Sequence, residues 1–152
     1  MKTKTVTRYE CEHCGKRGYS AGHMRRHESA CTKNPNRVCR VCKMDRAEFE
    51  RDEAVQPDLK ILIAVLPDPE EFRFKVPESE VVSLDKKLST AANEALPKLR
   101  ELSGNCPACI MAALRQAHIP VGCVSSFSFT DEMKSIWADI NQAQSEREYA
   151  LW

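Results

Sequence analysis

Eight cysteines and four histidines are the residues of this chain best suited to chemistry, and their spacing says more than their number. Six of the cysteines fall into three C-x2-C pairs: Cys11/Cys14, Cys39/Cys42 and Cys106/Cys109. A two-residue gap lets a tight backbone knuckle aim two thiolates at one point, as a metal ion requires. Twelve residues separate Cys14 from His27-x3-Cys31, and residues at i and i+4 share one face of a helix. Cys11, Cys14, His27 and Cys31 therefore form a complete tetrahedral set, in which zinc would replace the core that so short a segment cannot build. His23-x3-His27 is a second i, i+4 pair and could ligate with Cys11 and Cys14. The twelve-residue loop and the affinity of thiolate for zinc favour His27 with Cys31.

Cys39/Cys42 and Cys106/Cys109 are 63 residues apart. Two such pairs satisfy a four-cysteine zinc site, with the segment between them an inserted subdomain. The competing use of C-x-x-C is a surface dithiol or a redox pair. A thioredoxin-like arrangement needs a strand just before Cys106, whereas a long helical pattern and Gly104-Asn105 precede it. Two Zn2+ ions are thus expected, on eight ligands. Cys123 and His118 fall outside both sets, the first read as a small buried apolar residue and the second as a helix-end side chain.

Over residues 9 to 31 the pattern resembles the CCHC variant of the CCHH zinc-finger family, whose finger is a ββα unit. Tyr9 stands two residues before the first cysteine, as the family's aromatic does, and Met24 takes the place of its helical leucine. Tyr19 lies one residue later than the second aromatic should, with Gly18 in the usual place, so the packing is expected to be atypical. The resemblance implies a base-reading helix face of Ser20, His23 and Arg26, with Arg26 toward guanine, and implies phosphate contacts from Lys16, Arg17 and Arg25. One finger spans only about three base pairs, so sequence-specific reading by it alone would be weak. The two later pairs resemble treble-clef and zinc-ribbon sites, in which a knuckle meets ligands at a helix start. The stretch from Cys31 to Cys42 also looks like small zinc-finger proteins of bacteriophages, which would place the chain in host cytoplasm rather than a nucleus.

The elements that must position these ligands follow from periodicity and punctuation. Residues 1 to 8 read as a basic arm, 9 to 36 as the finger, 37 to 129 as the four-cysteine domain and 130 to 152 as a C-terminal helix. Asn34-Pro35-Asn36 ends the finger helix, and Asp45 to Asp58 reads as a short helix or loop. Leu59 to Leu66 is a strand candidate and Glu71 to Val76 alternates with period two, which together predict a hairpin around Pro67-Asp68-Pro69-Glu70. Pro77-Glu78 opens a helix with Val81, Leu84, Leu88, Ala92 and Leu96 on one face, kinked or ended at Pro97. A helix from Cys106 to about Gln116 is expected with Asn105 as its cap, then an extended Val121 to Phe129. Thr130-Asp131-Glu132 would cap a last helix with Met133, Ile136, Trp137 and Ile140 on one face, Trp137 and Phe129 belonging to the core. The predicted class is α+β: a small ββα-like finger, then a zinc-stapled domain with a β-hairpin and three or four helices.

Composition sets the outer bounds. The chain of 152 residues is 42% hydrophobic and 30% charged, values of a folded protein. Ile61 to Leu66 is far shorter than the ~20 apolar residues of a membrane span, and Met1 to Val6 has no apolar stretch behind its charge, so neither a membrane nor a secretory route is expected. Paired thiols and this start point to a reducing intracellular compartment, cytoplasm or nucleus. The net charge of +1 conceals twelve Lys and Arg against four acids in residues 1 to 46, a local +8. Such clustering is the footprint of a phosphate-binding surface, and a basic end can equally serve an acidic protein partner.

Both ligand sets are closed, and no histidine base stands near them, so neither an enzyme nor a small-molecule substrate is expected. HNH-type nucleases flank their site with knuckles too, but their chemistry needs a histidine base, and His118 is the only histidine outside residues 13 to 27. Two readings remain: a nucleic-acid-binding accessory or regulatory protein acting through its basic finger, and an assembly module whose zincs only rigidify docking surfaces. Salt-sensitive nucleic-acid binding distinguishes the first, and exposed apolar patches on the last helix or the 59 to 76 segment mark the second.

Overall fold

A computed structural model describes residues 5–43, 56–73 and 81–150. The chain opens with two short antiparallel strands, β1 (Tyr9–Glu10) and β2 (Arg17–Gly18), with Tyr9 opposite Gly18 and Glu10 opposite Arg17. Gly15 makes the reversal possible at φ +71°, in the left-handed region where a side chain is strained. Helix α1 (Ala21–Ala30) follows, its first turn capped by Ser20, whose Oγ accepts from the His23 N–H at 3.3 Å. Met24 is the buried apolar side chain of α1, packed with Cys11 and Cys31. A Cβ on Gly18 would stand 2.9 Å from the Met24 sulfur, so the thioether fills the space an aromatic would otherwise take. Tyr19 is correspondingly 69% exposed.

After a helical turn at 40–43, the described residues form α2 (Leu59–Ala64), α3 (Pro69–Arg73), α4 (Val81–Ser103), α5 (Pro107–Gln116), a 3-10 turn at Val121–Cys123 and α6 (Phe129–Ala150). The class is α+β, with the sheet confined, among the described residues, to the N-terminal strand–helix unit, for which the label finger is kept. Among the described residues, these five helices and the helical turn at 40–43 follow the finger, beside the three or four helices expected.

The expected hairpin over 59 to 76 is two helices instead. Asp58 caps α2 by accepting from the Lys60 N–H at 2.9 Å, and the Asp68 carboxylate does the same for the Glu70 N–H at 2.9 Å. Pro69 then sits at the first position of α3, where its missing N–H costs nothing. Residues 74–76 of the supposed second strand, most of Asp45 to Asp58, the Pro77-Glu78 helix start and Met1 to Lys4 lie outside the described residues.

Helix α5 is the centre of the molecule. Every residue from Pro107 to Leu114 is buried, the mark of a helix covered on all sides. Helices α2, α4 and α6 pack on it, and α3 packs on α4. The inner face of α4 carries Leu88, Ala92, Leu96 and Leu99. Pro97 neither ends nor interrupts α4. It faces solvent, so the carbonyl freed four residues back can meet water, while buried Leu96 and Leu99 hold the helix on both sides.

Three further expectations change. Asn105 lies in the left-handed region at φ +58°, after Gly104 at +59°, and closes the end of α4 through its N–H to the Arg100 carbonyl at 2.9 Å; the α5 cap is Cys106. Val121 to Phe129 is a 3-10 turn at Val121–Cys123, a second turn at 125–126 and the start of α6 at Phe129 rather than a strand. Trp137 is 46% exposed, because α6 meets the core through Phe129 near its start and Ile140. The first turn of α6 is held by a bidentate pair, Arg100 Nη2 and Nη1 to the Glu132 carboxylate at 2.7 and 3.1 Å.

Candidate metal centres

The finger brings Cys11, Cys14, His27 and Cys31 together so that their ligand atoms all lie within 4.8 Å of one another. The knuckle is closed by the Gly15 N–H to the Cys11 carbonyl and the Cys11 N–H to the Lys16 carbonyl, both 2.9 Å. The Glu28 carboxylate accepts from the Glu12 N–H at 2.9 Å and ties the knuckle to α1. His27 Nε2 stands 3.2 Å from Cys14 Sγ, whereas His23 is exposed and outside the cluster. Burial pushes the Cys14 thiol up, but the His27 hydrogen bond and contacts from the Lys16 backbone and the other thiols outweigh it and bring it down to about 7. Burial raises the Cys31 thiol.

The second cluster is Cys39, Cys42, Cys106 and Cys109, again within 4.8 Å. Cys39 and Cys106 Sγ are 3.6 Å apart, and Cys42 and Cys109 Sγ 3.7 Å. A disulfide needs about 2.0 Å. A tetrahedron with metal–sulfur bonds of about 2.3 Å has edges of about 3.8 Å, so the four sulfurs fit one ion. The hydrogen bond from Cys106 draws Cys39 down and that from Cys109 draws Cys106 down, while contact with Cys106 pushes Cys42 and Cys109 up. A divalent ion would require all four sulfurs as thiolates, so its binding would release whatever protons they carry. Cys106 is the cap of α5 and Cys109 sits in its first turn, where the helix dipole favours thiolate.

Arg37 is the functional residue that sequence reasoning missed. It is 5% exposed, its Nη1 lies 3.8 Å from Cys109 Sγ, and its Nε has no hydrogen-bond partner. No carboxylate pairs with it among the described residues. Four thiolates round a divalent ion carry a net −2, the counter-charge this guanidinium lacks, so Arg37 fits a loaded centre better than four neutral thiols. Gln56 braces the same segment, accepting from the Cys39 N–H and donating to the Arg37 carbonyl, each at 2.7 Å.

The two clusters are joined by a built connection. Asn34 Nδ2 donates to the Glu28 carbonyl at 2.9 Å and its Oδ1 accepts from the Asn36 N–H at 2.9 Å, closing the Asn-Pro-Asn turn. Val38 N–H reaches back to the Ser29 carbonyl at 2.8 Å. From the end of α5, Arg115 Nη1 donates to Thr32 Oγ1 at 2.9 Å, and Gln116 Nε2 donates to the Thr32 and Asn34 carbonyls at 2.9 and 3.1 Å.

Of the residues the resemblance assigned to nucleic acid, Lys16, His23 and Arg26 line a cleft of about 950 Å³ between α1 and the end of α5, and Arg17, Ser20 and Arg25 do not. Arg17 is ion-paired with Glu10 at 2.6 Å, and Ser20 Oγ is engaged as the α1 cap. Arg25 is exposed and makes no ion pair among the described residues. Cys123 is half-buried and His118 exposed just past α5, both outside the clusters. No described helix is long and apolar enough to cross a membrane. No family model, curated protein or solved structure matches this chain.

Proposed function

We propose that the chain is a zinc-binding, nucleic-acid-associated accessory or regulatory protein, in which two structural Zn2+ ions hold a basic finger against a helical body. Zinc is the ion that suits both donor sets: thiolate-rich, tetrahedral and without redox demand. Four protein donors at each centre leave no coordination position for a substrate, which supports a structural rather than a catalytic role. The observation that carries the nucleic-acid reading is that Lys16, Arg25 and Arg26 are exposed on the finger and make no ion pair among the described residues. Titrating zinc-loaded protein with DNA and RNA, duplex and single-stranded, at several salt concentrations tests it. Micromolar or tighter binding that weakens with salt, and weakens further in R25A/R26A, is the expected result. An absence of binding at low salt would overturn it.

The assembly reading is favoured by one specific observation. Trp137 on α6 and Ile61 on α2 are large apolar side chains, 46% and 55% exposed. They stand on the two segments where a docking protein would keep such residues.

A further inference from the structure

The cleft of about 950 Å³ is walled on one side by α1 and on the other by the end of α5 and the turn after it. Lys16 and Arg26 enter from the finger, Lys33 and Arg40 from the connection and the turn beyond it, and Arg115 from α5, with His118 beside it. No Asp or Glu lines it, and none of these five cations is ion-paired among the described residues. Elsewhere some cations are paired, as Arg17 is with Glu10 and Arg100 with Glu132, while others such as Arg25 and Lys60 make no ion pair among the described residues; what sets the cleft apart is that five cations face one acid-free space.

Two of the guanidiniums are held in place. Arg40 Nη2 donates to the Arg26 carbonyl at 2.7 Å and Arg115 Nη1 to Thr32 Oγ1 at 2.9 Å. Each leaves most of its five donors unused, in the planar fork that matches a phosphate. Cys14, His27 and Cys31 complete the wall. Three thiolates, a neutral histidine and a divalent ion carry one net negative charge, against five cations. Like charges gathered without counter-ions repel, and a polyanion laid between them relieves that cost.

We propose that this cleft grips the phosphodiester backbone of a nucleic acid, so that the binding unit is the finger and the end of α5 together. This rests on the nucleic-acid reading above and moves its contact away from the helix face that an isolated finger would use. No Phe, Trp or Tyr lines the cleft. Base stacking is therefore not part of the contact, and the grip is by charge and independent of sequence.

Fluorescence anisotropy of the full zinc-loaded chain with labelled single strands and duplexes across a salt series tests it. The side chains of Lys16 and Lys33 are exposed and make no ion pair among the described residues, so K16E/K33E reverses cleft charge without breaking one, and a zinc count of the variant confirms that both centres are intact. R115A removes a cleft cation and a connection contact together, and R115K restores the charge. K16E/K33E should bind at least about tenfold more weakly at low salt, with the salt slope reduced by about one to two. R115A should weaken binding and R115K recover much of it. If K16E/K33E and R115A bind like the parent while R25A does not, the cleft is overturned and the finger reading stands. No binding by the parent chain at low salt overturns both. Binding of polyglutamate but not of nucleic acid overturns both in favour of an acidic protein segment.

Discussion

Replacing Arg37 by methionine keeps most of its buried volume and removes its charge. In the loaded four-cysteine centre the guanidinium faces a net −2, with Nη1 3.8 Å from Cys109 Sγ. At an effective dielectric constant of about 20, a unit charge at that distance is worth about 4 kcal/mol, before the desolvation of the guanidinium is subtracted. What survives should resemble the loss of other hydrogen-bond donors to metal ligands, a drop of about 10- to 100-fold in affinity, or about 1.4 to 2.8 kcal/mol. Competition with a chromophoric zinc chelator reads this directly, because the chain carries two sites and only one touches Arg37. The expected result is that R37M surrenders one ion about 10- to 100-fold more readily while the other is held as before. An R37M variant that holds both ions with parental affinity would refute the charge-compensation argument. So would loss of the ion on the Cys11 cluster instead.

Other perturbations separate the parts of the account. C31S should lose one ion and unfold the finger, since exposed His23 lies outside the cluster; retention of two ions with unchanged finger amide shifts would contradict this. L114A removes a fully buried side chain from the central helix and should cost about 2 to 5 kcal/mol in urea unfolding of the loaded protein. E132Q breaks the half-buried bidentate pair with Arg100 and should cost about 1 kcal/mol, falling with added salt.

Both ligand sets were legible in the sequence because knuckle spacing and an i, i+4 pair are local. The 63-residue gap hid nothing essential, since two half-sites need a partner wherever the chain brings them together. The 59 to 76 hairpin was misread for a physical reason. A short apolar run such as Leu59 to Leu66 has no periodicity that separates a strand from a buried helix. The deciding signals were Asp58 before Leu59 and Asp68-Pro69-Glu70-Glu71, both helix starts. The expectation that Pro97 kinks or ends the helix fails in its second form, since the helix runs on to Ser103; propensity ignores what packs on either side of the proline.

Arg37 was not legible, since a lone arginine is ordinarily a surface residue and only the folded chain places it behind Cys109. The cleft was legible in part. Its basic charge shows in residues 1 to 46, but Arg115 lies far along the chain and joins the others only once α5 docks on the finger's exit turn. Trp137 shared a helical face with Ile140, yet the helix turns that face partly to solvent.

If two closed zinc centres organise this chain, native mass spectrometry of protein purified without chelator, followed by X-ray absorption at the zinc edge, will read them out. Two zinc ions per chain are expected, with no disulfide and an averaged shell of sulfur with a minor nitrogen contribution from His27. One ion per chain, a Cys39–Cys106 or Cys42–Cys109 disulfide, or a coordinated water at either centre would contradict that expectation.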